Sequence, residues 1–233
     1  MIFFLRQYGY LVSMLILLAI CLSGMITFPK QRVGMLLSAA LFVPSALGAL
    51  LFVPDYWKPV LVVPLPVGLE DIIFSFSAGG IVWLLATCWQ KDRLRLRLKT
   101  KVILARMNAC GLPCILLNLA LWRGGLPIMT SVVLTMAVLA IALLWLRPRF
   151  LPIAFMGAVW FSFFHFLFAS VALAIWPIGQ LYAGRLWGYR LFRLPLEEIV
   201  WAAAFGFAWP PLMAYVFDAE LVPPDQESRL ASA

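Results

Sequence analysis

Leu196-Glu197-Glu198-Ile199-Val200-Trp201 places two adjacent carboxylates at the mouth of a long apolar run. Leu69-Glu70-Asp71-Ile72-Ile73-Phe74 does the same earlier in the chain. The copies share one offset, because 197 − 70 = 127 and 198 − 71 = 127. Gly79 and Gly206 fall on it too (206 − 79 = 127). Ionisable side chains are costly where hydrocarbon begins, so both pairs are candidate functional groups. The rest of the chain reads as two halves that bring these acids together.

The composition makes hydrocarbon the relevant solvent. Of the 233 residues, 64% are hydrophobic and 12% charged, and mean hydropathy is +0.99. A soluble domain is nearer half apolar and a quarter charged. Stretches at residues 8–27, 33–53, 70–89, 102–121, 128–146, 151–176 and 197–217 each approach the roughly 20 residues a membrane helix needs. The predicted fold class is all-α: a polytopic membrane protein with seven transmembrane helices and no soluble domain. A membrane β-barrel would show short alternating segments instead. The first stretch is too long for a signal-peptide core and is expected to be retained.

Two parallel three-helix repeats account for the duplicated acids. Residues 1–89 form the first unit and 128–218 the second. Residues 90–127 supply a basic loop and one linking helix, and 219–233 a flexible polar tail. One linking helix keeps the units parallel, so their third helices carry the acids at equal depth; repeats about an axis along the membrane normal are a known arrangement. Ser75, Ser77, Gly79 and Gly80 would let another helix approach the third span closely. Pro44 and the Pro210-Pro211 pair should disturb their helices. Asn108 and Asn118 are expected to bond between helices, and Arg106 to snorkel. The connection 177–195, with Gly184-Arg185-Leu186-Trp187-Gly188-Tyr189-Arg190, mixes aromatics and arginines as an interfacial helix does.

The net charge of +8 reads as loop charge facing a cytoplasm and anionic lipid, not as a nucleic-acid surface. Loops after the first, third and fifth spans, with the tail, hold Lys30, Arg32, Lys91, Arg93, Arg95, Arg97, Lys99, Lys101, Arg147, Arg149 and Arg229. The other side holds Arg6, Lys58, Arg123, Arg185, Arg190 and Arg193. The bias puts the N-terminus outside and the C-terminus in the cytoplasm, and the expected location is a bacterial inner membrane. Cys21, Cys88, Cys110 and Cys114 lie in apolar runs and read as small buried hydrophobes. Cys110 and Cys114 are one helical turn apart, but no His, Asp or Glu lies near them in sequence. Neither a metal site nor a disulfide framework is expected.

Glu70, Asp71, Glu197 and Glu198 sit at helix N-termini, where the dipole favours the anion, and at an apolar boundary, which favours the neutral acid. Crowded acids share protons. A neutral carboxylic acid is a Brønsted acid and an ionised neighbour a base. That pairing suits protonation of an isoprenoid double bond, ring closure by the carbocation, and loss of a proton, without metal or nucleotide. Aromatic faces stabilise cations; the candidates are Phe74, Trp83, Trp160, Phe164, Trp201, Trp209 and Tyr215. His165, the only histidine, is either a core residue bonding across helices or a proton relay. Capping and topology anchoring compete as a reading of each pair, but two pairs at one offset favour chemistry.

At these residues the chain resembles the membrane-integral lycopene cyclases of the bacterial heterodimeric, archaeal and fungal bifunctional type. Their mark is Pro-x-Glu-Glu/Asp at the head of a helix in each of two three-helix units. Pro195-Leu196-Glu197-Glu198 matches it fully, whereas Pro66-Val67-Gly68-Leu69-Glu70-Asp71 keeps the acids with the proline two residues earlier. The likeness spans nearly the whole chain in helix count and duplication; its specific part is about a dozen residues. It implies cofactor-independent β-cyclisation of linear carotenoid ends by Glu70, Asp71, Glu197 and Glu198. The implied partners are a lipophilic isoprenoid and membrane lipid, with no nucleic acid; a homo-oligomer stays open. Small seven-helix terpene cyclases pair acids similarly, so a quinone- or indole-linked prenyl chain is an alternative substrate. Two other functions compete: a proton-coupled carrier of a lipophilic solute, and a non-catalytic membrane partner whose acids anchor helices. A diphosphate-using transferase would want aspartates clustered around Mg²⁺, and Asp218 and Glu220 stand alone. Glu197→Gln is expected to abolish ring formation while the protein still inserts.

Overall fold

The structure, a computed structural model, describes residues 2–54, 56–90, 93–175, 182 and 187–221, with side chains from Tyr8 onward. Among the described residues, 7 helices are long and apolar enough to cross a membrane; the chain is an all-α integral membrane protein. α1 is Ile2–Thr27. The second span is broken: α2 (Arg32–Phe42) passes into a 3₁₀ stretch, Val43–Gly48, and then α3 (Ala49–Phe52). Pro44 explains the break, since it lacks an N–H and its ring crowds the preceding turn. α4 (Leu69–Thr87), α5 (Thr100–Arg123), α6 (Ile128–Leu146), α7 (Leu151–Ile175) and α8 (Leu196–Val216) follow. α8 carries Pro210 and Pro211 without a break in the helix.

The packing has the same form in each triplet of spans. α4 packs on both α1 and α2, and α8 on both α6 and α7. α4 and α8 also touch, so the acid-bearing helices form the centre of the bundle. Of their apolar windows 56% and 67% are buried, against 0% for α5. α5 touches α6 and α8 from outside and buries no residue.

The glycines at offset 127 explain the close contacts. A Cβ on Gly79 would meet the Ser38 carbonyl at 2.8 Å and the Ala39 Cα at 3.2 Å. A Cβ on Gly206 would overlap the Gly157 carbonyl and meet the Ala158 Cα at 2.9 Å. Between lipid-embedded helices, small residues permit the backbone approach on which packing depends. These contacts pair the middle helices at a second offset, since 157 − 38 = 119 and 158 − 39 = 119. Phe42 and Phe161 share it (161 − 42 = 119), and both rings pack on Phe205, at 4.5 and 5.3 Å.

Three local expectations need correction. Among the described residues, 187–195 form no interfacial helix: β2 (Arg190–Leu191) and β3 (Leu194–Pro195) make an antiparallel hairpin. Gly188 at φ +86° suits a turn, not a helix. The start of the tail is held, because β4 (Glu220–Leu221) pairs with β1 (Leu94–Arg95) and Arg97 bridges Glu220 at 2.8 Å. Arg106 does not simply snorkel; it bonds Asp218 at 2.9 Å and the Tyr215 carbonyl at 2.5 Å. Lys91, Trp176, Gly184, Arg185, Leu186, residues 222–233 and the side chain of Arg6 lie outside the described residues.

Candidate functional site: a buried chamber with two acids

Where α4 and α8 begin, the bundle lines a cavity of about 330 Å³. Asp71 and Phe74 of α4 line it, with Glu198 and Trp201 of α8. Acid and ring lie three residues apart, on one helix face. They match across the halves at the same offset (201 − 74 = 127), and the Phe74 and Trp201 rings are 5.9 Å apart. The walls are otherwise mostly apolar, with Met129, Val132 and Met136 from α6.

Of the four acids expected to converge, two do so. Adjacent helical residues point roughly 100° apart, since a turn holds about 3.6 residues. Glu70 and Glu197, 2% and 1% exposed, are not among the lining residues. Glu70 Oε1 accepts the Val62 N–H at 2.9 Å; Glu197 Oε1 accepts the Trp187 N–H. Each ties the preceding connection to its helix start, and Glu198, not Glu197, is the acid of its pair that reaches the cavity.

Both cavity acids are 9% exposed. Asp71 Oδ1 accepts the Tyr10 hydroxyl at 3.1 Å, and Oδ2 the Gly68 N–H at 2.8 Å. The second bond is the backward half of a capping box. Glu198 Oε1 accepts the Tyr56 hydroxyl at 3.0 Å, and Oε2 lies 3.1 Å from His165 Nε2. Gly68 and Pro195 share the acid offset (195 − 68 = 127). Proline has no N–H to offer, so the missing amide leaves that side of Glu198 to His165. At the middle-helix offset His165 matches Ala46 (165 − 46 = 119), which also lines the cavity but has no polar side-chain atom to offer Asp71.

Tyr10, Tyr56 and Tyr182 are the site residues that sequence reasoning missed. A buried carboxyl needs donors, and tyrosines near the acid-bearing ends were the available signal. Burial, the first cause for both, pushes the Tyr56 and Tyr182 phenols well above their ordinary range, so both stay protonated. Trp57 and Tyr182 form a β-bridge, and their rings lie 5.2 Å apart at the cavity wall.

Of the other aromatic candidates, Phe164, Trp83, Trp160, Trp209 and Tyr215 do not line the cavity. Phe164 stacks at 6.1 Å on Phe168, which does. Trp83 is buried at the far end, 5.5 Å from Phe217. Trp160 is 46% exposed beside Phe163. Trp209 donates to Ser38 at 2.9 Å, and Tyr215 lies under the Arg106 guanidinium at 4.7 Å. Trp201, Phe205 and Trp209 stack along α8 at 5.4 and 5.9 Å; of this row only Trp201 reaches the chamber. Asn118, expected to bond between helices, lines the cavity, and its Oδ1 has no partner among the described residues. Among the described residues no three His, Cys, Asp or Glu side chains form a metal site.

Fold and site together define a seven-helix integral membrane protein with a carboxyl-bearing, aromatic chamber inside the bundle. No family model, no curated protein and no solved structure matches the chain.

Proposed function

We propose that this chain is a membrane-integral isoprenoid cyclase of the lycopene cyclase kind, acting without a cofactor. The observation that carries the reading is that one acid and one aromatic ring from each acid-bearing helix face a single apolar chamber. A cavity acid adds a proton to a terminal C=C, forming a C–H bond and a tertiary carbocation. A neighbouring C=C attacks that cation and forms the ring C–C bond. A proton leaves the adjacent carbon for a carboxylate, and a C=C forms in the ring. The reaction is an isomerisation, balanced in protons and electrons. Phe74 and Trp201 supply cation-stabilising faces.

The chamber's size suits one end of a chain. At about 330 Å³ it lies at the lower end of the roughly 300–1,000 Å³ range of small-ligand sites. A linear carotenoid end is the substrate of choice, and a quinone- or indole-linked prenyl end the alternative. Beneath the chamber Phe161, Phe205 and Trp209 fill the core, and this packing favours a cyclase over a carrier, which needs a polar route through the bundle. The two-repeat organisation is part of the proposal, supported by the matched packing of α4 and α8. So is an orientation with the chamber on the outer side of a bacterial inner membrane; C-terminal reporter fusions active only in the cytoplasm are the expected result.

The test is expression in a host that accumulates lycopene, followed by pigment analysis. Wild type should yield cyclic carotenoid, and Glu198→Gln none at equal membrane abundance. Unchanged linear pigment with wild type inserted at normal levels overturns the carotenoid reading.

A further inference from the structure

Resting on the cyclase reading, we infer that the two cavity acids are not equivalent: Glu198, hydrogen-bonded to His165, holds the mobile proton, and Asp71 is a fixed carboxylate. The partners decide this. Asp71 faces a backbone N–H at 2.8 Å and a phenol at 3.1 Å. An amide N–H only donates, so that oxygen is held as an acceptor. The phenol completes a cradle shaped for an anion at the N-terminus of α4. Glu198 has a phenol on Oε1 and, 3.1 Å from Oε2, an imidazole nitrogen. Imidazole accepts a proton as readily as it gives one. Among the described hydrogen-bond partners of the four acids it is the one basic nitrogen. In an apolar chamber a neutral acid–imidazole pair avoids the desolvation of two separate charges, so the Glu198 O–H donates to His165 Nε2.

The asymmetry has two sequence causes at matched positions: Pro195 where the first half has Gly68, and His165 where it has Ala46. Among the described residues, the titratable groups around Glu198 are Glu197 beside it on α8, His165 from α7, Tyr56 and Tyr182 from the connections, Arg190 of the hairpin near Tyr182, and Asp71 with Tyr10 from α4 and α1 across the chamber; the α6 wall brings none. In the reaction, the O–H turns from His165 to the double bond and the carboxyl becomes a carboxylate. The same carboxylate takes back the proton released by the ring. Asp71 gives and takes none; its charge faces the cation.

The test is infrared spectroscopy of the purified full chain in lipid nanodiscs, without substrate, followed by lycopene turnover. A protonated-carboxyl C=O band that shifts in D₂O is expected at neutral pH. It should vanish in Glu198→Gln and persist in Asp71→Asn. His165→Leu should move it to higher wavenumber, as loss of a hydrogen bond requires; this variant also serves if Glu198→Gln does not fold. Turnover should fall at least 100-fold in Glu198→Gln. No band in wild type, a band that survives Glu198→Gln, a band lost in Asp71→Asn, or a band unmoved in His165→Leu overturns the assignment. Bands as expected with no cyclic product from lycopene uphold the proton assignment and count against carotenoid cyclisation alone.

Discussion

A carboxyl group in a greasy chamber persists only if its oxygens find donors or carry a proton. Glu198 and Asp71 meet that condition through Tyr56 and Tyr10, which stand far from them in sequence. Tyr56→Phe removes one donor and leaves a carboxyl oxygen unpaired. The expected cost is about 1–3 kcal/mol, read as a lower unfolding temperature in detergent; no change in that temperature would remove Tyr56 from the site. Glu70→Gln keeps an oxygen that can accept the Val62 N–H, so it should retain the fold and turn over lycopene within about threefold of wild type. A Glu70→Gln protein as inactive as Glu198→Gln would restore a four-acid site. The acids stood out in the sequence because charge is rare in such surroundings. Their partners did not, because tyrosine is equally at home in a wall or a membrane interface.

Helices here meet through small residues, and the outcome of a substitution depends on which face it enters. Gly206→Leu puts a side chain into the Gly157 backbone; the expected result is separation of α7 and α8 and a loss of about 1–3 kcal/mol or more. Gly111 in α5 has nothing within 4 Å of an added Cβ, so Gly111→Ala should leave stability unchanged or raise it by up to about 1 kcal/mol. Parallel thermal melts of the two variants check the contrast. At the basic end α8 closes with Asp218 at φ +51° and the Ala219 N–H on the Ala214 carbonyl at 2.8 Å, a Schellman-type stop. The Arg106 hydrogen bond, first among the causes, holds the half-exposed Asp218 carboxyl below its ordinary range. A depressed acid stabilises above the ordinary aspartate value, about 3.9, and loses that contribution as pH falls through the lower folded value. Acid proteolysis near residue 218 should therefore accelerate below about pH 4, and Asp218→Asn should abolish this pH dependence.

In the whole molecule, burial is concentrated in α4 and α8 and absent from α5. Phe205, 1% exposed between Phe42 and Phe161, is a keystone of the core. Phe205→Ala should cost about 3–5 kcal/mol, while Ile115→Ala on the α5 surface, 59% exposed, should stay within about 0.5 kcal/mol. Equal costs, measured by chemical unfolding in mixed micelles, would contradict the central placement of α8. Seven spans, their limits and the two acid-bearing helices were legible in the chain alone, since membrane thickness sets element length and charge marks the exceptions. The direction of each acid was not. A hydropathy pattern that is apolar on all sides carries no face, so Glu70 and Asp71, or Trp201 and Trp209, read alike along the chain. Only the packed bundle separated the residues that line the chamber from those that tie loops or fill the core. It did so because rotation about a helix axis is decided by what packs against that helix, here Gly157 against Gly206 and Ser38 against Gly79, a relation between residues more than 40 positions apart.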